Sequence, residues 1–128
     1  MSDAELKKIF IVEDDEFLRS LTVKRLEKEN YNIAVAADGE QALKHLGTDS
    51  PDLVLLDLLL PGVDGFQVLE KMQGDANLSK IPVVVFSNLG QREDIEKAKG
   101  LGASDFLIKA NFTLDDVVAK VNSYMNKV

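Results

Sequence analysis

Several acidic residues, one serine and one lysine stand where they could together bind a metal ion and a phosphate group. The acidic run Glu13–Asp15 follows one apolar stretch, Asp57 follows a second, and Ser87 and Lys109 follow two more. Crowded carboxylates repel one another, and protonation or a divalent cation relieves that repulsion. The chain has no cysteine and a single histidine. Oxygen donors alone favour the hard cation Mg²⁺ over zinc or copper.

A phosphate group completes this chemistry. Mg²⁺ typically keeps several waters and takes one or two carboxylates together with a phosphate oxygen. Lys109 would supply a positive charge to a second phosphate oxygen, and Ser87 could donate a hydrogen bond to a third. Asp57 is then the candidate nucleophile of a phosphoryl transfer that works by in-line positioning and charge neutralisation.

Five short apolar runs alternate with five segments of helical character. The predicted strands are Lys8–Val12, Asn32–Ala36, Leu53–Leu56, Pro82–Phe86 and Asp105–Ile108. Four of them are almost continuously apolar, which is typical of parallel strands covered on both faces. The predicted helices are Glu16–Glu29, Gly39–Leu46, Gly65–Gln73, Arg92–Leu101 and Leu114–Lys127. This alternation predicts an α/β fold with a doubly wound five-stranded parallel sheet between two helical layers.

The last two predicted helices differ in their apolar faces. The fifth carries a continuous apolar stripe at helical spacing and begins at Thr113, which forms a capping-box pattern with Asp116. The fourth has a thin stripe formed only by Ile95, Ala98 and Leu101. We therefore expect the fourth helix to pack weakly and to shift at low energetic cost.

The fold explains why the polar residues matter together. Each follows or ends a predicted parallel strand, and ligands of such sheets bind outside the carboxyl ends of the strands. Alone, each would more often be a capping, turn or surface residue. Their convergence on one edge of the sheet favours a functional site.

Composition limits the remaining possibilities. A chain of 128 residues is the size of one domain, and we expect a single domain over residues 1–128 that ends with its last helix, as in a stand-alone regulator. Fifteen basic against 22 acidic residues give a net charge of −7, which argues against direct nucleic-acid binding. The apolar runs are too short to cross a membrane. The lack of cysteine suits the cytoplasm, and the lone His45 is expected at the surface.

Four motifs carry a family resemblance. They are IFIVEDD at 9–15, LVLLDLLLPGVDG at 53–65, PVVVFS at 82–87 and GASDFLIK at 102–109. In this order they resemble the signatures of receiver domains of two-component response regulators, and the resemblance covers essentially the whole chain. It implies a flavodoxin-like fold with strand order 2-1-3-4-5.

The resemblance also implies a function. The protein would be a regulatory phosphoacceptor and not a turnover enzyme, with Asp57 taking phosphate from a histidine of a sensor kinase or of a histidine phosphotransfer protein. It would signal to a protein target, unidentified from the sequence, through the face around the fourth helix and fifth strand.

Individual roles follow from the same resemblance. The magnesium ligands would be Asp14, Asp57, the backbone carbonyl of Leu59 and, through a water, Glu13. Ser87 and Lys109 would hold the phosphoryl oxygens, and Ser87 with the switch aromatic Phe106 would relay the signal.

The sequence departs from the family pattern near the site. Ala110 stands where a proline, often cis, usually follows the lysine; because a cis non-proline bond costs ~2.5–4 kcal/mol, we expect a trans bond here. Asn88 replaces a small residue and would narrow access or offer another donor. Leu59 and Leu89 flank the family's path for attacking water and cannot orient it, which predicts slow self-dephosphorylation.

Three other functions are compatible with parts of the sequence to different degrees. A degenerate receiver would keep the fold and act as a phosphorylation-independent interaction module; Ala110 and Asn88 leave this reading open. A hydrolase of the haloacid-dehalogenase type would need a second aspartate where Leu59 stands. A nucleotide or flavin binder would need a glycine-rich loop after the first strand, where the acidic run Glu13–Asp15 is electrostatically the opposite.

Overall fold

The structure is a computed structural model that describes residues 6–126. Its strands are β1 (Lys8–Val12), β2 (Asn32–Ala36), β3 (Leu53–Leu56), β4 (Val83–Ser87) and β5 (Asp105–Ile108). Its helices are α1 (Glu16–Glu27), α2 (Gly39–Leu46), α3 (Gly65–Gln73), α4 (Arg92–Gly100) and α5 (Leu114–Tyr124). Short 3₁₀ turns occupy Leu78–Lys80 and Lys109–Asn111.

The five strands form one parallel sheet in the order β2-β1-β3-β4-β5, which confirms the predicted flavodoxin-like topology. In the register of β1 and β3, Val12 lies beside Leu56. The two residues that follow, Glu13 and Asp57, therefore leave the sheet at neighbouring positions.

Alternate strand residues supply two hydrophobic clusters, one on each face of the sheet. Phe10, Val54 and Val85 face α2, α3 and α4, whereas Ile11, Leu55 and Val84 face α1 and α5. Because both faces are covered by helices, the strands read as continuous apolar runs. The three-layer α/β/α arrangement is the one predicted.

The element ends differ slightly from the prediction, for local reasons. Helix α1 stops two residues early because Asn30 adopts a left-handed conformation with φ of 64°. Strand β4 begins at Val83, one residue late, since Pro82 has no N–H to donate. Helix α4 ends at Gly100 and α5 at Tyr124. The predicted end of α5, Lys127, lies outside the described residues.

Helix α4 is held less firmly than the other four helices. Its one buried side chain is Ala98. Its N-cap Gln91 forms no capping hydrogen bond, whereas Asp15, Asp38, Asp64 and Thr113 each cap their helices through the side chain. The predicted capping box of Thr113 with Asp116 is also confirmed. The expectation of a weakly packed α4 agrees with this geometry.

His45 is placed differently from the expectation. Its ring lies 4.4 Å from that of Phe10, its Nε2 lies 3.3 Å from Asp49 Oδ2, and its side chain is only half-exposed. His45 is thus only partly exposed, because α2 packs this part of its face against β1. Within residues 6–126, no helix combines the length and apolar character needed to span a bilayer.

Candidate functional site

The carboxyl ends of β1, β3, β4 and β5 bring the predicted polar residues to one edge of the sheet. The backbone N–H of Asp57 donates to the carbonyl of Val12 at 3.0 Å, and that of Glu13 donates to Ala36 at 3.1 Å. Ser87 is the last residue of β4, and Lys109 follows β5 directly. Both acidic residues thus extend the pairing of the sheet by one residue, which fixes their backbones rigidly.

Asp57 lies at the centre of this edge and is only 4% exposed. Its Oδ1 accepts hydrogen bonds from Ser87 Oγ at 2.6 Å and from the backbone N–H of Leu59 at 3.0 Å. Its Oδ2 accepts from Lys109 Nζ at 2.7 Å. Three donors from three chain segments therefore converge on the Asp57 carboxylate. Hydrogen bonds of this kind stabilise its negative charge.

Lys109 joins Asp57 to the acidic run. Its ammonium also pairs with Glu13 Oε1 at 2.7 Å, and Glu13 Oε2 accepts from the backbone N–H of Asp15 at 3.1 Å. Burial raises the pKa of Glu13 above its ordinary value, and the nearby Asp57 charge adds to this, against the hydrogen bonds from Lys109 and Asp15. Burial alone would lower the pKa of Lys109, but its hydrogen bonds and attraction to Asp57 and Glu13 outweigh burial and raise it.

The same edge has the donor set of a magnesium site. Carboxylate oxygens of Glu13, Asp14 and Asp57 lie within 4.8 Å of one another, which is close enough for one cation to contact them. Glu13 and Asp57 are buried, whereas Asp14 is exposed to solvent and can meet a hydrated ion. An all-oxygen set with one open side fits Mg²⁺, which holds on to several waters.

The loop after β3 is shaped by a close backbone contact. The Cα of Gly65 packs so tightly against this loop that a Cβ would lie 2.5 Å from the carbonyl oxygen of Asp57. The N–H of Gly65 donates to the carbonyl of Leu58 at 3.0 Å. Only glycine permits this close approach. The tight loop between Asp57 and Gly65 thus holds the Asp57 backbone at the mouth of the site.

The remaining predicted residues lie around this centre. The side chain of Leu59 is 48% exposed at the rim, while Leu89 packs partly buried against the core and Asn88 is exposed. Phe106, beside Val85 in the sheet, is partly buried against the α2–α4 side of the core. Within residues 6–126 there is no cis peptide bond, so Lys109–Ala110 is trans as expected. The turn that follows is 3₁₀ helical.

One contact of the site was missed by the sequence analysis. Arg19 Nη1 donates to the backbone carbonyl of Glu13 at 2.9 Å and approaches that of Asp14 at 3.5 Å. A basic residue in the first turn of a helix that follows an acidic loop is a weak sequence signal for such a contact. Helical side chains point back toward the N-terminus, which makes the contact reachable.

Comparisons with known proteins point to one family. Residues 9–122 match the family model described as the response regulator receiver domain. Response regulator PleD of Caulobacter vibrioides is 40% identical over 118 residues, which cover 91% of this chain and 25% of PleD. The DNA-binding dual master transcriptional regulator RpaA of Synechocystis is 33% identical over 122 residues, which cover 95% of this chain and 50% of RpaA. The chain thus spans half or less of the length of these relatives.

Solved structures show the same fold. A putative response regulator from Chloroflexus aurantiacus superposes with a TM-score of 0.87 at 25% identity, over 96% of this chain and 100% of its own. The phosphorylated cyanobacterial phytochrome response regulator RcpA superposes with a TM-score of 0.84 at 30% identity, over 93% of each chain.

Proposed function

Because this chain belongs to the family of response regulator receiver domains, we propose that it is a phosphoacceptor whose Asp57 takes a phosphoryl group from a phosphohistidine. The observation that carries this proposal is the convergence of Ser87, Lys109 and the Leu59 N–H on the buried Asp57 carboxylate. A purely structural aspartate would need fewer donors and no neighbouring carboxylates. We propose that residues 1–128 act as one receiver domain.

In the proposed transfer, an Asp57 oxygen forms a bond to phosphorus while the phosphorus–nitrogen bond of the donor breaks. The electron pair of that bond remains on the histidine nitrogen. Lys109 Nζ and Ser87 Oγ, now on the two Asp57 oxygens, would move to the oxygens of the incoming group. The chain is then a regulatory acceptor that catalyses only its own phosphorylation and dephosphorylation.

The proposal includes Mg²⁺ as the cofactor. When bound, the ion would neutralise charge on the transferring phosphoryl group. Asp14, Asp57 and the Leu59 carbonyl would hold it directly, and Glu13 through a water. The clustering of the three carboxylates supports this set. The Lys109 ammonium pairs with both Glu13 and Asp57 and so holds their carboxylates close together.

Exposed apolar side chains around the site support a protein donor. Phe17 is 71% exposed and Leu21 38% on α1, and Leu59 and Phe112 are exposed on the loops after Asp57 and Lys109. Apolar groups that frame a polar centre are typical of a protein contact surface. A sensor histidine kinase or a histidine phosphotransfer protein would dock here. Since such donors receive their phosphoryl group from cytoplasmic ATP, the proposed location is the cytoplasm.

The signal would leave through the face formed by α4 and β5. The new phosphoryl group places ~1.5–2 negative charges beside Ser87 and Lys109. Movement of Ser87 toward the new group would open space beside β4 that Phe106 can fill. Helix α4, with one buried side chain and no side-chain cap, would respond first. The recipient would be a protein, since the net charge of −7 disfavours nucleic acid.

Acetyl phosphate with Mg²⁺, followed by intact-mass measurement, tests the proposal. The wild type should gain the mass of one phosphoryl group, and Asp57→Asn should gain none. Asp115→Asn, which changes an exposed aspartate on α5, should label as the wild type does. No labelling of the wild type, or labelling that survives in Asp57→Asn, would favour a degenerate receiver that acts by contact alone.

A further inference from the structure

Arg19 makes an unusual contact with the acidic loop. Its guanidinium donates to the carbonyl oxygen of Glu13 at 2.9 Å and approaches that of Asp14 at 3.5 Å. Three carboxylates lie nearby on Glu13, Asp14 and Asp15, yet within residues 6–126 Arg19 forms no ion pair with any of them. Its donors are directed at the backbone, which leaves the Asp14 carboxylate available to a cation.

The two carbonyls belong to the peptide groups on either side of the Asp14 Cα. Asp14 itself is exposed, and its side chain has no hydrogen bond or ion pair with any residue that the structure describes. No other described residue therefore holds its carboxylate, and the backbone sets the direction of the Asp14 Cα–Cβ bond. A guanidinium that bonds to the preceding peptide and lies close to the following one restrains the direction in which the Asp14 Cβ leaves the chain.

The place of Arg19 on α1 does not explain its presence. A cation in the first turn opposes the helix dipole, which favours negative charge at that end. Asp15 already caps the helix through the N–H of Leu18 at 2.9 Å. The contact with the loop is thus the interaction that Arg19 contributes at this position.

We infer that Arg19 is a positioning residue for the metal: it holds the Asp14 carboxylate in the direction from which it can bind Mg²⁺. The inference rests on the proposed function. Partners that orient metal ligands typically change metal affinity by about 10–100-fold when removed. A simple charge effect has the opposite sign, because loss of a nearby positive charge would strengthen cation binding.

An amide chemical-shift titration of the ¹⁵N-labelled protein with Mg²⁺ alone separates these effects. Arg19→Met keeps much of the apolar stem but loses the donors, and we expect its dissociation constant for Mg²⁺ to rise at least 10-fold. Arg19→Lys keeps the charge and one reachable donor, and should restore part of the affinity. Arg25→Met removes another α1 arginine, one that pairs with Asp115, and should bind Mg²⁺ like the wild type.

Urea unfolding in EDTA completes the comparison, because it measures stability without metal. An affinity loss in Arg19→Met beyond that in an equally destabilised Arg25→Met supports the inference, as does an Arg19→Lys affinity between those of the wild type and Arg19→Met. If Arg19→Met does not fold, Arg19→Lys alone decides, and wild-type affinity in it overturns the inference. Unchanged or tighter binding by Arg19→Met overturns it as well. A wild type that fails to bind Mg²⁺ would instead refute the proposed function.

Discussion

Ser87 is the residue whose removal tests the site most directly. Its side chain is fully buried, and its hydroxyl donates to Asp57 Oδ1 at 2.6 Å, a short distance typical of a bond to a charged acceptor. Ser87→Ala would leave that oxygen with the Leu59 N–H at 3.0 Å. A hydrogen bond to a charged group contributes about 1.5–3 kcal/mol. We expect the free energy of unfolding without metal to fall by about that amount.

The same substitution should slow phosphorylation for a separate reason. Ser87 would donate to a phosphoryl oxygen in the transition state, and loss of one such preorganised donor costs about 10²–10³ in rate. Intact-mass kinetics with acetyl phosphate measure the rate, and urea unfolding in EDTA measures the stability. Ser87→Thr keeps the hydroxyl and should stay near the wild-type rate.

The two measurements together can refute the reasoning. A Ser87→Ala protein that is destabilised but labels at the wild-type rate would show that Ser87 serves only the resting carboxylate. A protein unchanged in both would show that the 2.6 Å contact carries no energy in solution.

Three further predictions concern lifetime, pH and docking. The double variant Leu59→Asn with Leu89→Glu should shorten the lifetime of the aspartyl phosphate, since polar groups can orient a water molecule. Intact-mass measurements at intervals after the phosphate donor is removed give the rate of phosphate loss. An unchanged lifetime would contradict the prediction. Burial alone would raise the pKa of Asp105, but hydrogen bonds from Lys120 and other groups outweigh it and lower the pKa below its ordinary value. The ionised Asp105 carboxylate therefore stabilises the fold above the unfolded pKa of about 3.9, and this stabilisation is lost as pH falls through the lower folded pKa. The difference in free energy of unfolding between the wild type and Asp105→Asn, measured by urea unfolding, should therefore disappear in acid. Phe17→Ser should reduce transfer from a phosphorylated histidine kinase at least several-fold while labelling by acetyl phosphate stays unchanged; equal losses with both donors would count against docking on α1.

Much of the site could be predicted because a parallel sheet converts sequence order into proximity. Once Val12, Leu56 and Ser87 are recognised as strand ends, the edge at which their neighbours meet follows from topology. Periodicity likewise located all five helices, with ends displaced only where local backbone conformation decided them, as at Asn30.

The contacts within the site could not be predicted in the same way. Lys109 pairs with Glu13 as well as with Asp57. This double pairing depends on the exact positions at which the three side chains leave the edge of the sheet. The contact of Arg19 with the loop after β1 depends on its side-chain rotamer, which residue spacing does not predict. The partial burial of His45 was missed for a related reason, because its ring packs against that of Phe10 from another element.

The loose attachment of α4 has a consequence for how this protein can change over time. The core beneath α4 is built by the other helices and the sheet. Ala98 is the one buried side chain that α4 adds to this core. Local opening of this helix should therefore cost much less than global unfolding, so that α4 behaves as a separate cooperative unit. If partners bind the proposed α4–β5 face, substitutions on the charged outer face of α4 would alter partner choice with little effect on the stability of the whole. Recognition and folding would then depend on different parts of the chain, which would allow a family to diversify its outputs on one scaffold.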